Sequence, residues 1–465
     1  DTLIGATMTR FFGTDGVRGI ANQELTCEMA YVLGRAAVEL LGGRLVIGRD
    51  TRRSGPMLEA ALIAGITSAG GDALLAGIIP TPAVALLTRE LNASGGVVIS
   101  ASHNPPEYNG IKFFNAEGFK LTREQEDAFE EQLQRLSRPS LSQPCPSVPT
   151  PAPSPNPIGA AVGTVIPLED ASERYVAHAV EVVHGQGFDL AGLHIAVDCG
   201  HGASFATTPE ALRRLGATVT AINTDFDGNN INVGCGSTHL EQLKALVAET
   251  GADLGIAHDG DADRVLALDE AGNELDGDFI EAICALDLKE QGRLARNTVV
   301  TTVMCNLGFT RAMRQQGIEV IQTAVGDSNV LAAMREGGYV IGGEQSGHMI
   351  FLEHNSTGDG LVTALQLLVA LRRAAVPLSS LAQVMTRYPQ VLINVKVSDQ
   401  AGFAGSKAIA QAVREAEGRL GEQGRVLLRP SGTEPLIRVM IEATEEHVAQ
   451  GEAEHLASVV AQELG

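Results

Sequence analysis

Tryptophan is missing altogether, and aromatic residues of all kinds make up only 4% of the 465 positions. That leaves little of the stacking surface on which single-stranded nucleic acids are held. Basic residues are also scarce, with 34 Lys and Arg against 56 Asp and Glu and a formal net charge of −22. This balance excludes a protein built to cover a nucleic-acid backbone or an anionic membrane. The six cysteines, Cys27, Cys145, Cys199, Cys235, Cys284 and Cys305, form no Cys-x-x-Cys pair and no dense framework. Such scatter predicts a reducing compartment. No apolar run is long enough to span a bilayer, and the first residues show no basic segment followed by an apolar core, so a cytoplasmic protein is expected.

What is present is globular. Hydrophobic residues make up 44% and charged residues 19%, and the length predicts three or four domains. Strand and helix signals alternate through Arg44–Ile47, Pro56–Ala69, Ala73–Ile79, Ala83–Leu91 and Gly96–Ser100, a βαβαβ order that favours a largely parallel sheet. Eight of the twenty residues from Arg138 to Pro157 are proline, which predicts an extended linker. Two more α/β units follow, one from Leu193 to Ala257 and one from Thr298 to Gly342. After Pro377 the order predicts a smaller α+β domain. The expected domains are 8–157, 158–257, 258–376 and 377–465.

Four unusual strings fall in loops after strands, where open α/β sheets place ligands. In VVISASHNPPEYNGIKFF, Ser102 is a candidate nucleophile, with His103 and Lys112 as proton carriers or phosphate partners. The same string also fits a polar turn. In HDGDADR, Asp259, Asp261 and Asp263 repel one another unless a cation shares them, and hard oxygen ligands select Mg²⁺ or Ca²⁺. An EF-hand fails here, because Arg264 occupies the position that needs glycine and Val265–Leu268 reads as strand.

In GGEQSGH, Glu344, Ser346 and His348 combine donors and acceptors that suit sugar hydroxyls, and a capped glycine turn explains them as well. In LLRPSGTEPLIRV, Arg429, Ser431, Gly432, Thr433 and Arg438 supply the parts of a phosphate cradle; an ordinary hairpin is the other reading. Arg18, in FFGTDGVRG, and Arg49, Arg52 and Arg53, in GRDTRRSG, are further candidate partners for a phosphorylated serine.

Together FFGTDGVRG, ISASHNP, DGDADR, GEQSGH and RPSGTEP, in this order, resemble the α-D-phosphohexomutase family from about Thr9 to the C-terminal helix. The resemblance implies three related α/β domains and a smaller α+β fourth around a central cleft. It implies that Ser102 is phosphorylated and that Ser102, Asp259, Asp261 and Asp263 hold Mg²⁺. Glu344 and Ser346 would bind sugar hydroxyls, and Arg429, Ser431, Gly432 and Thr433 the phosphate that does not react. Lys112 and His103 would move protons, with Arg18 and Arg264 adding positive charge.

The implied reaction interconverts glucosamine 6-phosphate and glucosamine 1-phosphate through glucosamine 1,6-bisphosphate; the same machinery acting on glucose or mannose phosphates, or a sugar-phosphate binding protein without turnover, is the alternative. A kinase or a sugar bisphosphate would load Ser102 first, and a homodimer stays open. Two departures from the family pattern stand out: Ala262 where glycine is usual, and Ser328 and Asn329 in place of an Arg-Tyr pair.

Overall fold

The computed structural model describes residues 11–13, 16–137, 156–431 and 435–465. The proline tract from 138 to 155, with Cys145, and Gly432 and Thr433 of the fourth loop lie outside the described residues. The chain forms two compact units. One holds the segment up to Val303 together with Ile321–Ala382, and the other holds Met304–Val320 with Gln383–Gly465. Among the described residues no single helix is long and apolar enough to cross a membrane, and Cys27, Cys199, Cys235, Cys284 and Cys305 are free thiols.

The first sheet contains β1 (Val17–Ile20), β2 (Arg44–Arg49), β3 (Asp72–Ile78), β4 (Gly95–Ile99), β5 (Tyr108–Asn115) and β6 (Val165–Pro167), in the order β1-β5-β4-β2-β3-β6. Strands β2, β3, β4 and β6 run parallel, and β5 is antiparallel to both neighbours. Residues Gly95–Ile99 are buried throughout, as expected of a strand covered on both faces. The chain direction of the connections reverses between neighbours β2 and β4. Their carboxyl ends carry Asp50 to Arg53 and Ser100 to Asn104, so these two strings meet at a topological switch point.

The second sheet has the order β11-β10-β9-β7-β8, built from β7 (His194–Asp198), β8 (Thr218–Ile222), β9 (Leu254–His258), β10 (Val265–Leu268) and β11 (Glu274–Leu275). The acidic string is the turn from β9 into antiparallel β10. The third sheet, β13-β12-β14-β15, uses β12 (Thr298–Thr302), β13 (Glu319–Thr323), β14 (Ile341–Gly343) and β15 (Met349–Phe351). Glu344 follows β14 directly.

Two sheets reach past the boundaries expected from sequence. β6 lies beyond residue 157 yet pairs with β3, and β10 and β11 lie beyond 257 yet belong to the second sheet. A three-residue strand exposed along its length carries no alternation to reveal it, and the metal-type turn between β9 and β10 hides the hairpin that surrounds it.

The second compact unit contains β16 (Gln390–Lys396), β17 (Gly424–Pro430) and β18 (Leu436–Ala443) in the antiparallel order β16-β18-β17. Helices Lys407–Leu420 and Glu446–Leu464 bury their apolar sides against it, through Ile409, Ala416, Ala453, Leu456 and Val460.

Candidate active site

The Ser102 loop is held from beneath by a buried polar network. Asp50 accepts from Ser100 Oγ at 2.6 Å and from Arg52 Nε at 2.9 Å, and Ser100 Oγ accepts from the Ser102 amide at 2.9 Å. Arg52 is fully buried. It donates through Nη2 to the carbonyls of Ser102 and Asn104 at 2.9 and 2.7 Å, and through Nη1 to those of Tyr108, at 3.0 Å, and Pro105. Asn232 Nδ2 reaches the Ser102 carbonyl as well, at 2.9 Å.

Arg52 is therefore no partner for a phosphate on Ser102, because its donors are committed to backbone oxygens. Arg49 is likewise engaged, with Glu59 at 3.1 Å, and Arg53 is exposed. Ser102 itself is buried and sits at φ 51°, a conformation that L residues adopt only when their surroundings enforce it.

Opposite it lies the acidic turn. Asp259, Asp261 and Asp263 are buried, and one carboxylate oxygen from each falls within 4.8 Å of the others. Ser102 Oγ donates to Asp259 Oδ2 at 2.5 Å. Asp261 Oδ2 accepts from Thr81 Oγ1 at 2.6 Å and from Lys112 Nζ at 2.9 Å, and Lys112 stands 3.7 Å from Asp263 Oδ2. Burial, followed by the charges of Asp263 and Asp261, holds the Asp259 carboxyl well above the usual range. Asp263 Oδ1 is buried with no hydrogen-bond partner among the described residues. Three close, desolvated acids offering only oxygen fit a divalent cation that prefers hard ligands.

Glu270, the acid an EF-hand would need, instead bonds the amide of Ser379 at 3.2 Å. Ala262, in the middle of the turn, stands at φ 55°. The turn thus demands the conformation for which glycine is suited, and alanine adopts it under strain.

Positive charge gathers around the serine. His103 Nδ1 is 3.4 Å from Ser102 Oγ, and Arg18 Nη1 donates to Asn104 Oδ1 at 3.1 Å. Burial first, then the cations Arg264 and Arg18, push the His103 imidazole down to about 4, so the ring is neutral at pH 7. Arg264 Nε lies 3.9 Å from Asp263. Beneath the turn, His258 is fully buried between the Arg264 carbonyl, 2.9 Å from Nδ1, and Thr208 Oγ1, 3.1 Å from Nε2. It fixes the turn's backbone.

The third loop is stitched to this turn. Val265 N donates to the Gly347 carbonyl at 3.1 Å, an approach that leaves no room for a side chain at Gly347, whose Cβ would come within 2.2 Å of the Val265 oxygen. Glu344 Oε1 accepts from the Gly326 amide at 3.1 Å, and the exposed Ser346 hydroxyl lies 3.4 Å from Glu344 Oε2. His348 is buried, with Nε2 3.6 Å from Asp327 and 3.9 Å from Asp263. Lys120 pairs with Asp327.

Arg18, Ser102, His103, Lys112, the three aspartates, Arg264, Glu344, Ser346 and His348 thus belong to one connected set. Sequence reasoning overlooked Arg52 as a clamp, and Asn232, Thr81, Lys120 and Asp327. Asp327, beside glycine in AVGDSN, and Lys120, two residues after glycine in GFKL, carry only that signal in the sequence.

The fourth loop belongs to the second compact unit. Arg429 and Arg438 are cross-strand partners on β17 and β18. Burial, then the neighbouring charge of Arg438, lowers the Arg429 pKa, as expected where two like charges stand side by side. Ser431 donates its amide to the Leu436 carbonyl at 2.9 Å, and its carbonyl accepts from Gln400 at 2.7 Å.

Comparison with known proteins matches this layout domain by domain. Family models for phosphoglucomutase/phosphomannomutase cover alpha/beta/alpha domain I at residues 9–139, domain II at 173–272, domain III at 276–388 and the C-terminal domain at 392–459. The phosphoglucosamine mutase of Symbiobacterium thermophilum is 53% identical over 464 residues, covering 98% of this chain and all of that one. That of Frankia alni is 51% identical over 466 residues, covering 97% and 98%.

Among solved structures, a phosphoglucomutase/phosphomannomutase family protein from Burkholderia thailandensis superposes with a TM-score of 0.78 at 24% identity, over 97% of both chains. Aspergillus fumigatus N-acetylphosphoglucosamine mutase, in complex with GlcNAc-6P and magnesium, gives 0.68 at 19%, over 98% of this chain and 96% of that one. At these identities the two structures speak to the fold.

Proposed function

Since the chain belongs to the phosphoglucomutase/phosphomannomutase family, we propose that it is an isomerase interconverting glucosamine 6-phosphate and glucosamine 1-phosphate through a phosphoserine at Ser102. The observation that carries the reading is the placement of Ser102 Oγ, 2.5 Å from Asp259 in a buried acid triad. Curated relatives of this length and identity that bear the name phosphoglucosamine mutase support the choice of sugar.

In this reading the phosphoryl group leaves Ser102 Oγ for the anomeric oxygen, giving glucosamine 1,6-bisphosphate. The bisphosphate turns end over end, and its 6-phosphoryl group returns to Ser102. Such transfers depend on positioning and charge neutralisation more than on covalent help. Asp259, Asp261 and Asp263, with an oxygen of the phosphoserine, would hold Mg²⁺, which when bound supplies neutralising charge to the phosphoryl oxygens.

Arg18 and Arg264 set positive charge beside the Ser102 loop. Lys112, beside the acid triad, and the neutral His103, with Nδ1 3.4 Å from Ser102 Oγ, carry the proton in this reading. Glu344 and Ser346 engage sugar hydroxyls, His348 orients that loop, and Arg429, Arg438, Ser431, Gly432 and Thr433 hold the idle phosphate. A kinase or a sugar bisphosphate delivers the first phosphate, in the cytoplasm.

The test is turnover of glucosamine, glucose and mannose 6-phosphates with Mg²⁺ and a trace of the matching bisphosphate. Glucosamine 6-phosphate should be preferred, and Ser102→Ala should lower turnover by on the order of 10⁴-fold or more. A preference for mannose 6-phosphate would overturn the sugar, and an active Ser102→Ala enzyme would overturn the mechanism.

A further inference from the structure

A cavity of about 510 Å³ opens in the first compact unit, lined by residues that the proposed reaction does not use. Its walls come from helix Ala171–His184 and the turn after it, from the segment after helix Gly277–Glu290, from the loop after β15, and from the last turn of helix Gly360–Ala374. The volume suits a small metabolite.

Donors dominate the lining: Arg293, Arg373, His178, Gln186 and Gln291, with the exposed Glu181 as the one acid. Among the described residues each arginine has a single carboxylate partner, Arg293 with Glu353 at 2.5 Å and Arg373 with Asp287 at 2.8 Å. The second Arg293 nitrogen reaches only the neutral oxygens of Gln186 and Gln291, both at 3.3 Å. Arg373 Nη2 and His178 Nε2 have no hydrogen-bond partner among the described residues. Both atoms are closed off where they stand, so a ligand would draw them out by rotation of the side-chain ends. A metal is the weaker fit, because no three ligand atoms from this cavity come together as those of the aspartate triad do.

One of these walls also touches the acidic turn, and a second braces it. Tyr175, one turn before His178, donates its hydroxyl to Asp359 Oδ1 at 2.7 Å. Asp359 caps helix Gly360–Ala374, accepting from the Val362 amide at 3.0 Å. Gly360 donates its own amide to the Ala262 carbonyl at 3.0 Å. One helix therefore carries Arg373 at the cavity and abuts the metal-type turn with its first residue.

We propose that this cavity is a second anion site, separate from the Ser102 loop, which takes a small phosphate-bearing ligand and transmits its occupancy along helix Gly360–Ala374 to the acidic turn. Guanidinium nitrogens held only by neutral oxygens, as in Arg293, or by none among the described residues, as in Arg373, can turn to a phosphate through forked hydrogen bonds. The site is independent of which sugar the enzyme prefers.

Inorganic pyrophosphate serves as the probe, titrated calorimetrically into the full chain and into three variants. Arg293→Gln/Arg373→Gln should weaken one class of binding about tenfold or more, and Val182→Trp, which fills the cavity, should do the same. Arg429→Gln should leave that class intact. Thermal melts identify any variant that has failed to fold, in which case the other cavity variant decides. Binding that disappears with Arg429→Gln alone, or that equimolar sulfate and chloride reproduce, overturns the site. Hydrogen exchange at residues 258–265 in the Arg429→Gln background should change when pyrophosphate is added. Unchanged exchange overturns the transmission.

Discussion

Arg52 shows how much one buried charge can organise. Its guanidinium is removed from water, paired with Asp50 and saturated by four carbonyl oxygens of the Ser102 loop. Removing one partner of a buried pair leaves the other uncompensated. Arg52→Met should therefore lower stability by about 3–5 kcal/mol, read as a shift in the denaturant midpoint, and Arg52→Lys should not restore it, since an ammonium cannot span the same acceptors. A wild-type midpoint in the methionine variant would remove Arg52 from this role. Ala262 carries the opposite lesson. Its φ of 55° is strain that glycine would not feel, so Ala262→Gly should raise stability by about 1 kcal/mol, seen as a higher melting temperature.

Among the elements, helix Gly360–Ala374 is the one on which most depends. Residues Gly360 to Leu371 are buried, and a Cβ on Gly360 would lie 2.3 Å from the Arg264 carbonyl and 2.7 Å from His258 Nδ1. Gly360→Ala should destabilise the chain by about 1–3 kcal/mol, the range for overpacking. It should also weaken Mg²⁺ binding measured by calorimetry, because the acidic turn must shift. Unaltered affinity would mean that the turn and the helix are mechanically separate.

This helix was visible in the sequence only as an apolar run, whereas the loops at the ends of β4, β9 and β14 were legible because short polar strings interrupt buried strands there. What stayed hidden depends on distant partners. Arg52 reads as surface charge until residues 102–108 fold over it, β6 has no buried face to impose a pattern, and the His178 cavity collects residues from four separate segments.

At the scale of the whole molecule, the net charge of −22 sits with a local reversal. Arg18, Lys112 and Arg264 surround Ser102 in the first unit, while Arg429 and Arg438 stand side by side in the second. The second unit has its own buried charge. Glu442 is fully buried beside Arg425 at 2.8 Å and accepts from Asn306 Nδ2 at 3.1 Å and the Leu307 amide at 3.2 Å, tying Met304–Val320 to the C-terminal sheet.

Burial raises its carboxyl to about 7 against the opposition of Arg425. Between the unfolded value near 4.5 and about 7 the folded unit holds a proton that the unfolded chain has released. This contribution to stability is complete below pH 4.5 and is lost as pH rises through 7. Relative to wild type, Glu442→Gln should thus gain stability between pH 5 and pH 8, by on the order of 3 kcal/mol at most, as followed by thermal melts. A difference that stays flat with pH would count against a protonated Glu442.

The clamp on the Ser102 loop has one more consequence. Arg52 and Asn232 grip main-chain oxygens, groups that do not change when the serine side chain does. A mutase of this kind exchanges a bare hydroxyl for a doubly charged ester and back again in every cycle. With Ser102 as the proposed carrier, the scaffold would meet both forms with the same backbone, and each catalytic round would begin without a refolding step.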